Sequence, residues 1–205
     1  MMDAMTIPRP PGTFAEHADE LTLQRARRGD TQALGELYRC YGRACYTLAL
    51  RLLGNTAAAE DVVQDVFLKL FDAIGGYRGQ APFGAWLKRL TANAAIDQLR
   101  AQRRLDGGDP EALIAAFDAA ATTAADACDL WSVLQRLPPQ ARAIVVLHEI
   151  EGYTHRELAG LFGQTESYSK SILSRSQQRL RRWLGADGDS APGSGEKHVA
   201  IPVVG

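Results

Sequence analysis

Cysteine is scarce and unpaired in this chain. Cys40, Cys45 and Cys128 are odd in number and have no metal-ligand spacing, so neither a disulfide framework nor a zinc site is indicated, and free buried thiols are the expectation. Long apolar runs are also missing. The longest candidates are broken by Arg51, Lys69 or Glu149, well short of the ~20 apolar residues that a bilayer demands, and no membrane insertion is expected. The start, Met-Met-Asp-Ala-Met-Thr-Ile-Pro-Arg-Pro-Pro-Gly, lacks the basic residues and apolar stretch of a secretory signal, which points to the cytoplasm. An enzymatic constellation is absent too. His148-Glu149 is followed by Gly152 where a zinc-protease pattern needs histidine, while His17, His155 and His198 stand alone. The glycine-rich run from Gly75 to Pro82 lacks the Lys-Ser/Thr ending of a phosphate loop. The expectation is therefore a protein that is not an enzyme and uses no cofactor or metal.

Excess charge is the last thing missing, with a formal net charge of −1. That balance suits a nucleic-acid binder poorly until the charges are located. From Leu105 to Asp129 the chain carries Asp106, Asp109, Glu111, Asp118, Asp126 and Asp129 but no lysine or arginine. This acidic stretch conceals the basic character of its flanks.

What is present is helical punctuation. The 205 residues, 46% hydrophobic and 23% charged, allow one large or two small soluble domains. Residues 1–17 are rich in Pro and Gly without period and read as a mobile tail. Leu21, Leu23 and Ala26 begin a short helix that stops at Gly29. Asp30 then caps a long one, with Leu34, Leu37, Tyr38, Tyr41, Cys45, Leu48, Leu52 and Leu53 spaced by three and four, closed by Gly54. Thr56 opens a third helix, from Ala57 to about Ile74, whose apolar side is Val62, Val63, Val66, Phe67, Leu70 and Phe71. Its other side gathers Glu60, Asp61, Gln64 and Asp65, either a solvated acidic face or a surface for a basic partner helix.

Pro82 suits the first turn of a fourth helix, Phe83 to about Arg103. Trp86, Leu87, Leu90, Ala94 and Leu99 are candidate core. Alternatively Trp86, the arginines and Asn93, beside a glycine-rich loop containing Tyr77 and Arg78, form a surface for single-stranded bases and phosphates. Residues 105–125 read as a flexible acidic linker, since Asp-Gly-Gly-Asp-Pro breaks the helix.

A second domain is expected over 126–184. Trp131, Val133, Leu134 and Leu137 form a helix ended by Pro138-Pro139, and Ala143 to Ile150 forms the next. Thr154, followed three residues later by Glu157, is a capping box opening a helix whose buried side is Leu158, Leu161 and Phe162. Gly163 ends it, and Thr165 caps a longer helix carrying Ile172, Leu173, Leu180 and Leu184 toward a core, with Lys170, Arg175, Arg179 and Arg182 toward solvent. Two helices joined by a short glycine-containing turn spell a helix-turn-helix, whose second helix enters a DNA major groove N-terminus first. Alternatively they make an ordinary helical hairpin with a basic face. Residues 185–205 read as a disordered tail, although Val199 to Val204 is apolar for a free end. The fold class is all-α: two small helical domains joined by the linker.

The order of Ala59-Glu60-Asp61-Val62-Val63-Gln64-Asp65-Val66-Phe67, Tyr77-Arg78-Gly79, Trp86-Leu87, Asn93 through Arg100, and Leu137-Pro138-Pro139-Gln140-Ala141-Arg142 ahead of a helix-turn-helix resembles the small two-domain bacterial sigma factors of the extracytoplasmic-function class. The likeness covers about Glu20 to Leu184. It implies a sequence-specific initiation factor that recruits core RNA polymerase to double-stranded promoter DNA and helps to melt it. The first domain would be sigma region 2 and the second sigma region 4. By this resemblance Glu60, Asp61, Gln64 and Asp65 bind polymerase. Tyr77, Arg78, Trp86, Arg89, Asn93, Asp97, Arg100 and Arg103 bind the downstream element and one unstacked base of the melted non-template strand. Thr165, Glu166, Ser167, Tyr168, Lys170, Ser171 and Arg175 bind the upstream element. The acidic linker would lie in the polymerase channel for nascent RNA, and an anti-sigma factor or other regulator is a candidate further partner.

The chain departs from the family pattern at four places. Ala58 stands where many members carry an acidic residue, and Gln164, Ser169 and Ile172 stand where the usual residues are apolar, apolar and arginine. Two rival functions remain at this level. A dimeric helix-turn-helix regulator would need no polymerase and would leave the first domain's polar face without a role. A sigma-like interaction protein would bind without initiating.

Overall fold

The computed structural model describes residues 13–105 and 130–184. The expected acidic linker beyond Leu105, the tail after Leu184, Cys128 and the first residues of the N-terminal tail lie outside the described residues. The described residues divide into two compact units, 13–50 with 55–95 and 51–54 with 96–105 and 130–184. Both are helical, and no strand occurs among the described residues.

Helix α1 spans Glu20–Arg27, α2 Thr31–Leu53, α3 Thr56–Ala73 and α4 Phe83–Leu105, with a 3-10 turn at Ile74–Gly76; they form the first unit, except that the last residues of α2 and the later part of α4 fall to the second. Asp30 caps α2 as the sequence indicates. Its Oδ1 accepts from the backbone N–H of Gln32 at 2.8 Å and of Ala33 at 3.3 Å, satisfying donors that the helix start leaves over. The guanidinium of Arg25 donates to Asp30 Oδ2 at 2.7 Å and holds that carboxyl below its ordinary value. The cap of α3 is Asn55, one residue before the expected Thr56, because the Asn55 side chain reaches the N–H of Ala58 at 2.9 Å.

Leu37, Tyr41, Leu48, Leu52, Val62, Val66, Leu70, Ile74, Phe83 and Leu87 are buried. Three residues expected on apolar faces are exposed instead: Leu21, Tyr38 and Phe71. Residues 13–17, read from sequence as part of a tail, are held against the unit. The Tyr41 hydroxyl donates to the Glu16 carbonyl at 2.7 Å and the Cys40 thiol to Glu16 Oε2 at 2.9 Å. Gly84 lies under this segment so closely that a Cβ there would collide with the Phe14 carbonyl.

In the second unit α5 spans Leu130–Gln135, α6 Pro139–Val145, α7 His155–Phe162 and α8 Glu166–Trp183. The proline pair was expected to stop one helix well before the next began at Ala143. Instead Pro139 starts α6 directly, since proline needs no N–H in a first turn and its φ is already helical. After Val145 the helix widens into a π-helical turn, Val146–Ile150. The capping box is present in full. Thr154 Oγ1 accepts from the Glu157 N–H at 3.2 Å, and Glu157 Oε2 accepts from the Thr154 N–H at 2.9 Å.

Gly163 ends α7 at φ 62°, where the N–H of Gln164 reaches the Ala159 carbonyl and that of Gly163 reaches Gly160. This Schellman closure favours glycine at the left-handed position. Thr165 caps α8 through the N–H of Tyr168 at 3.1 Å. Val133, Leu134, Ile144, Leu147, Leu158, Phe162, Ile172, Leu173 and Leu180 are buried, whereas Leu184, expected to face a core, is exposed.

Candidate functional site

Three surfaces carry the residues singled out from the sequence. The first is on α3. Ala59, Val62, Val63, Val66 and Leu70 hold it to the unit, and the 3.6-residue period then turns Glu60, Asp61, Gln64 and Asp65 outward, where all four are exposed. The Asp65–Lys69 ion pair, 3.8 Å long, is too exposed to contribute much. Glu60 and Gln64 line one wall of an open groove of about 820 Å³. Across it α2 contributes Arg39, Arg43 and Tyr46, and Tyr38, Val63, Phe67 and Leu68 give it apolar lining. Sequence reasoning missed this half of the site. Leu68, 65% exposed, and Tyr38, 53% exposed, are large apolar groups left in water. A tyrosine continuing an apolar ladder was read as core.

The second surface is the loop and outer face of α4. Trp86, Arg89, Asn93, Asp97 and Arg100 recur at steps of three and four and share one face of the helix, with Arg103 at its edge. Arg89, Asp97 and Arg100 are exposed, while Trp86, Asn93 and Arg103 are half-buried. Arg100 pairs with Asp97 at 3.5 Å. Tyr77 and Trp86 come together, ring centroids 5.5 Å apart, and both pack on the buried Phe83. The Tyr77 hydroxyl donates to the Ala81 carbonyl at 2.7 Å, and Arg27 lies over its ring at 5.5 Å while donating to its carbonyl. Tyr77 is thus a strut for the loop, and it and Trp86 are the half-buried aromatics of the cluster. Arg78 is exposed in the loop.

The third surface is the start of α8. Thr165, Glu166, Ser167 and Lys170 are exposed; Tyr168, Ser171 and Arg175 are half-buried. Glu166 and Lys170 lie 4.0 Å apart, one turn from each other. Ile172 and Ser169 are buried, so these two residues belong to the seat of the helix and not to its outer face. Burial raises the pKa of the Tyr168 hydroxyl, whose oxygen is itself shut off from solvent.

Helical units with these surfaces, the second a helix-turn-helix, define a class, and the comparisons agree. Residues 37–105 match Sigma-70 region 2 and residues 129–180 match Sigma-70, region 4. The chain is similar to ECF RNA polymerase sigma factor SigM of Mycobacterium tuberculosis, 32% identical over 171 residues covering 83% of this chain and 86% of that one. It is also 32% identical to ECF RNA polymerase sigma factor SigE of Mycolicibacterium smegmatis over 169 residues, 76% of this chain but only 64% of SigE. Among solved structures, that of CnrH in complex with the cytosolic domain of CnrY matches with 26% identity and a TM-score of 0.48, covering 82% of this chain and 98% of that one. The chain belongs to the ECF RNA polymerase sigma factors, a family of transcription initiation factors. Among the described residues no helix is long and apolar enough to cross a membrane.

Proposed function

We propose that this chain recruits core RNA polymerase to particular promoters and assists their melting, acting in the cytoplasm and catalysing no reaction of its own. The observation that carries the reading is the outward polar face of α3, Glu60, Asp61, Gln64 and Asp65, set beside an open apolar groove. Nothing in the packing of α3 requires that combination, and a polar rim around exposed apolar groups suits a protein partner. Polymerase docks there. Arg78, Arg89, Arg100 and Arg103 then face the backbone of the downstream element, while Trp86 and Asn93 receive an unstacked base. Unstacking costs a few kcal/mol and is sensible only if such a receptor follows. Tyr77 holds the loop and Asp97 orients Arg100. The upstream element is read by the first turns of α8 through Thr165, Glu166, Ser167, Tyr168, Lys170 and Ser171, with Arg175 toward flanking phosphate.

The experiment is affinity for core polymerase of the double variant Gln64→Ala with Asp65→Arg. Both side chains are exposed, so folding should be unchanged by circular dichroism while affinity falls by tenfold or more, on the order of 1.4 kcal/mol. Wild-type affinity would remove polymerase from this face.

A further inference from the structure

The second unit holds a polar cluster that none of these roles uses. His148, in the π-helical turn, and His155, in the first turn of α7, stack with ring centroids 4.5 Å apart and planes 27° from parallel. His155 Nδ1 lies 3.0 Å from Ser169 Oγ, a hydroxyl on α8 in a residue only 2% exposed. On the far side Glu149 Oε1 lies 3.1 Å from His148 Nδ1 and accepts from Gln177 Nε2 at 2.9 Å. The series Gln177, Glu149, His148, His155, Ser169 therefore starts on α8, runs through the turn and α7, and returns to α8. It ties the first turn of the proposed recognition helix to α7 and a point about two turns further on to the π-helical turn.

A buried hydroxyl needs a partner, and losing one costs more than the bond is worth. For the buried Ser169 hydroxyl that partner is the His155 ring. The groups around His155 oppose a charge on it. Partial burial is the largest cause, then His148 and Lys170; Glu166 and Glu149 act the other way, and the imidazole is held below its ordinary value. A base whose folded pKa is lowered binds fewer protons than the unfolded chain does as pH falls. Its contribution is complete above the ordinary imidazole value, about pH 6.5, and is lost below it.

We propose that His155 is a positioning residue for α8: through its stack on His148 and its hydrogen bond to Ser169 it seats the start of the helix, and acidification releases that seat and weakens upstream DNA recognition. The inference rests on α8 being the recognition helix. Lys170 follows Ser169 directly, so a change in the seat moves a side chain aimed at base edges.

The test uses the holoenzyme, the full chain with core polymerase, and a duplex selected from a randomised upstream library at pH 7.5. Dissociation constants are measured from pH 7.5 to 5.5 at fixed salt for the wild type, His155→Asn and Ser169→Ala. Asparagine keeps a polar atom near the Nδ1 position and cannot take the proton; Ser169→Ala is a small buried change that leaves the helix able to fold. The wild type should weaken by at least about fivefold over this range, and both variants should show a flatter profile at unchanged salt slope. A variant profile as steep as the wild type's would overturn the inference while leaving the recognition helix in place. Failure of the wild type to select any duplex at pH 7.5 would instead overturn the reading of α8, and the inference with it.

Discussion

Tyr38 of α2 meets Phe67 of α3 edge to face, with ring centroids 4.9 Å apart and planes inclined by 71°. The pair joins the two helices at the lip of the groove, and Tyr38 remains 53% exposed. Such a pair contributes about 0.5–1.5 kcal/mol beyond area burial. Tyr38→Ala should lower stability by about that amount in denaturant unfolding and also weaken core polymerase binding, whereas Tyr38→Phe should change neither. A Tyr38→Ala variant that binds polymerase normally would limit the groove to a packing role.

The helix-turn-helix depends on two local devices. Removing the capping box with Thr154→Ala should cost about 1 kcal/mol. Gly163→Ala, placed at φ 62°, should cost about 1–2 kcal/mol through the left-handed conformation alone. The thermal midpoint of the second unit checks both, and an unchanged midpoint would show that tertiary packing, and not the local signal, sets the turn.

Base reading and phosphate gripping should separate along α8. Lys170 and Glu166 are exposed in its first turns, and replacing either with alanine should change which upstream sequence is preferred, by about 1–3 kcal/mol at the affected base. Arg175→Ala should weaken all sequences alike and reduce the salt slope by about one. Binding to a randomised upstream element at several salt concentrations distinguishes the two, and the reverse pattern would put the helix in another register.

The thiols should be inert. Burial and the bond to Glu16 push the Cys40 thiol up to about 12, and burial pushes Cys45 up to about 11. Little thiolate is present near neutral pH, and thiolate is the reactive form. In a Cys128→Ser background, alkylation at pH 8 should therefore be slow until the protein unfolds. Rapid labelling of Cys40 in the native state would show that residues 13–17 leave the surface readily.

Much of this was legible because it is local. Thr154, Glu157, Gly163 and Thr165 act within one turn of their own position, and their spacing alone defines the helix pair. The α3 quartet was legible from period. Other features depend on residues far apart in sequence. Ser169 is explained only by His155, and Tyr38 only by a groove that its own helix does not reveal. Pro138-Pro139 marked a boundary correctly, but a proline can end one helix and begin another, so the start of α6 was placed late. Asn55 and Thr56 are both competent caps, and backbone geometry chose the first.

Run-off transcription with purified core polymerase and a genomic promoter library, with and without the full chain, measures initiation itself. Transcripts from defined start sites should appear only when the chain is present and should be lost with Gln64→Ala combined with Asp65→Arg. Binding of the chain alone to palindromic DNA, with no chain-dependent transcript from any promoter, would instead make the chain a helix-turn-helix regulator and not an initiation factor.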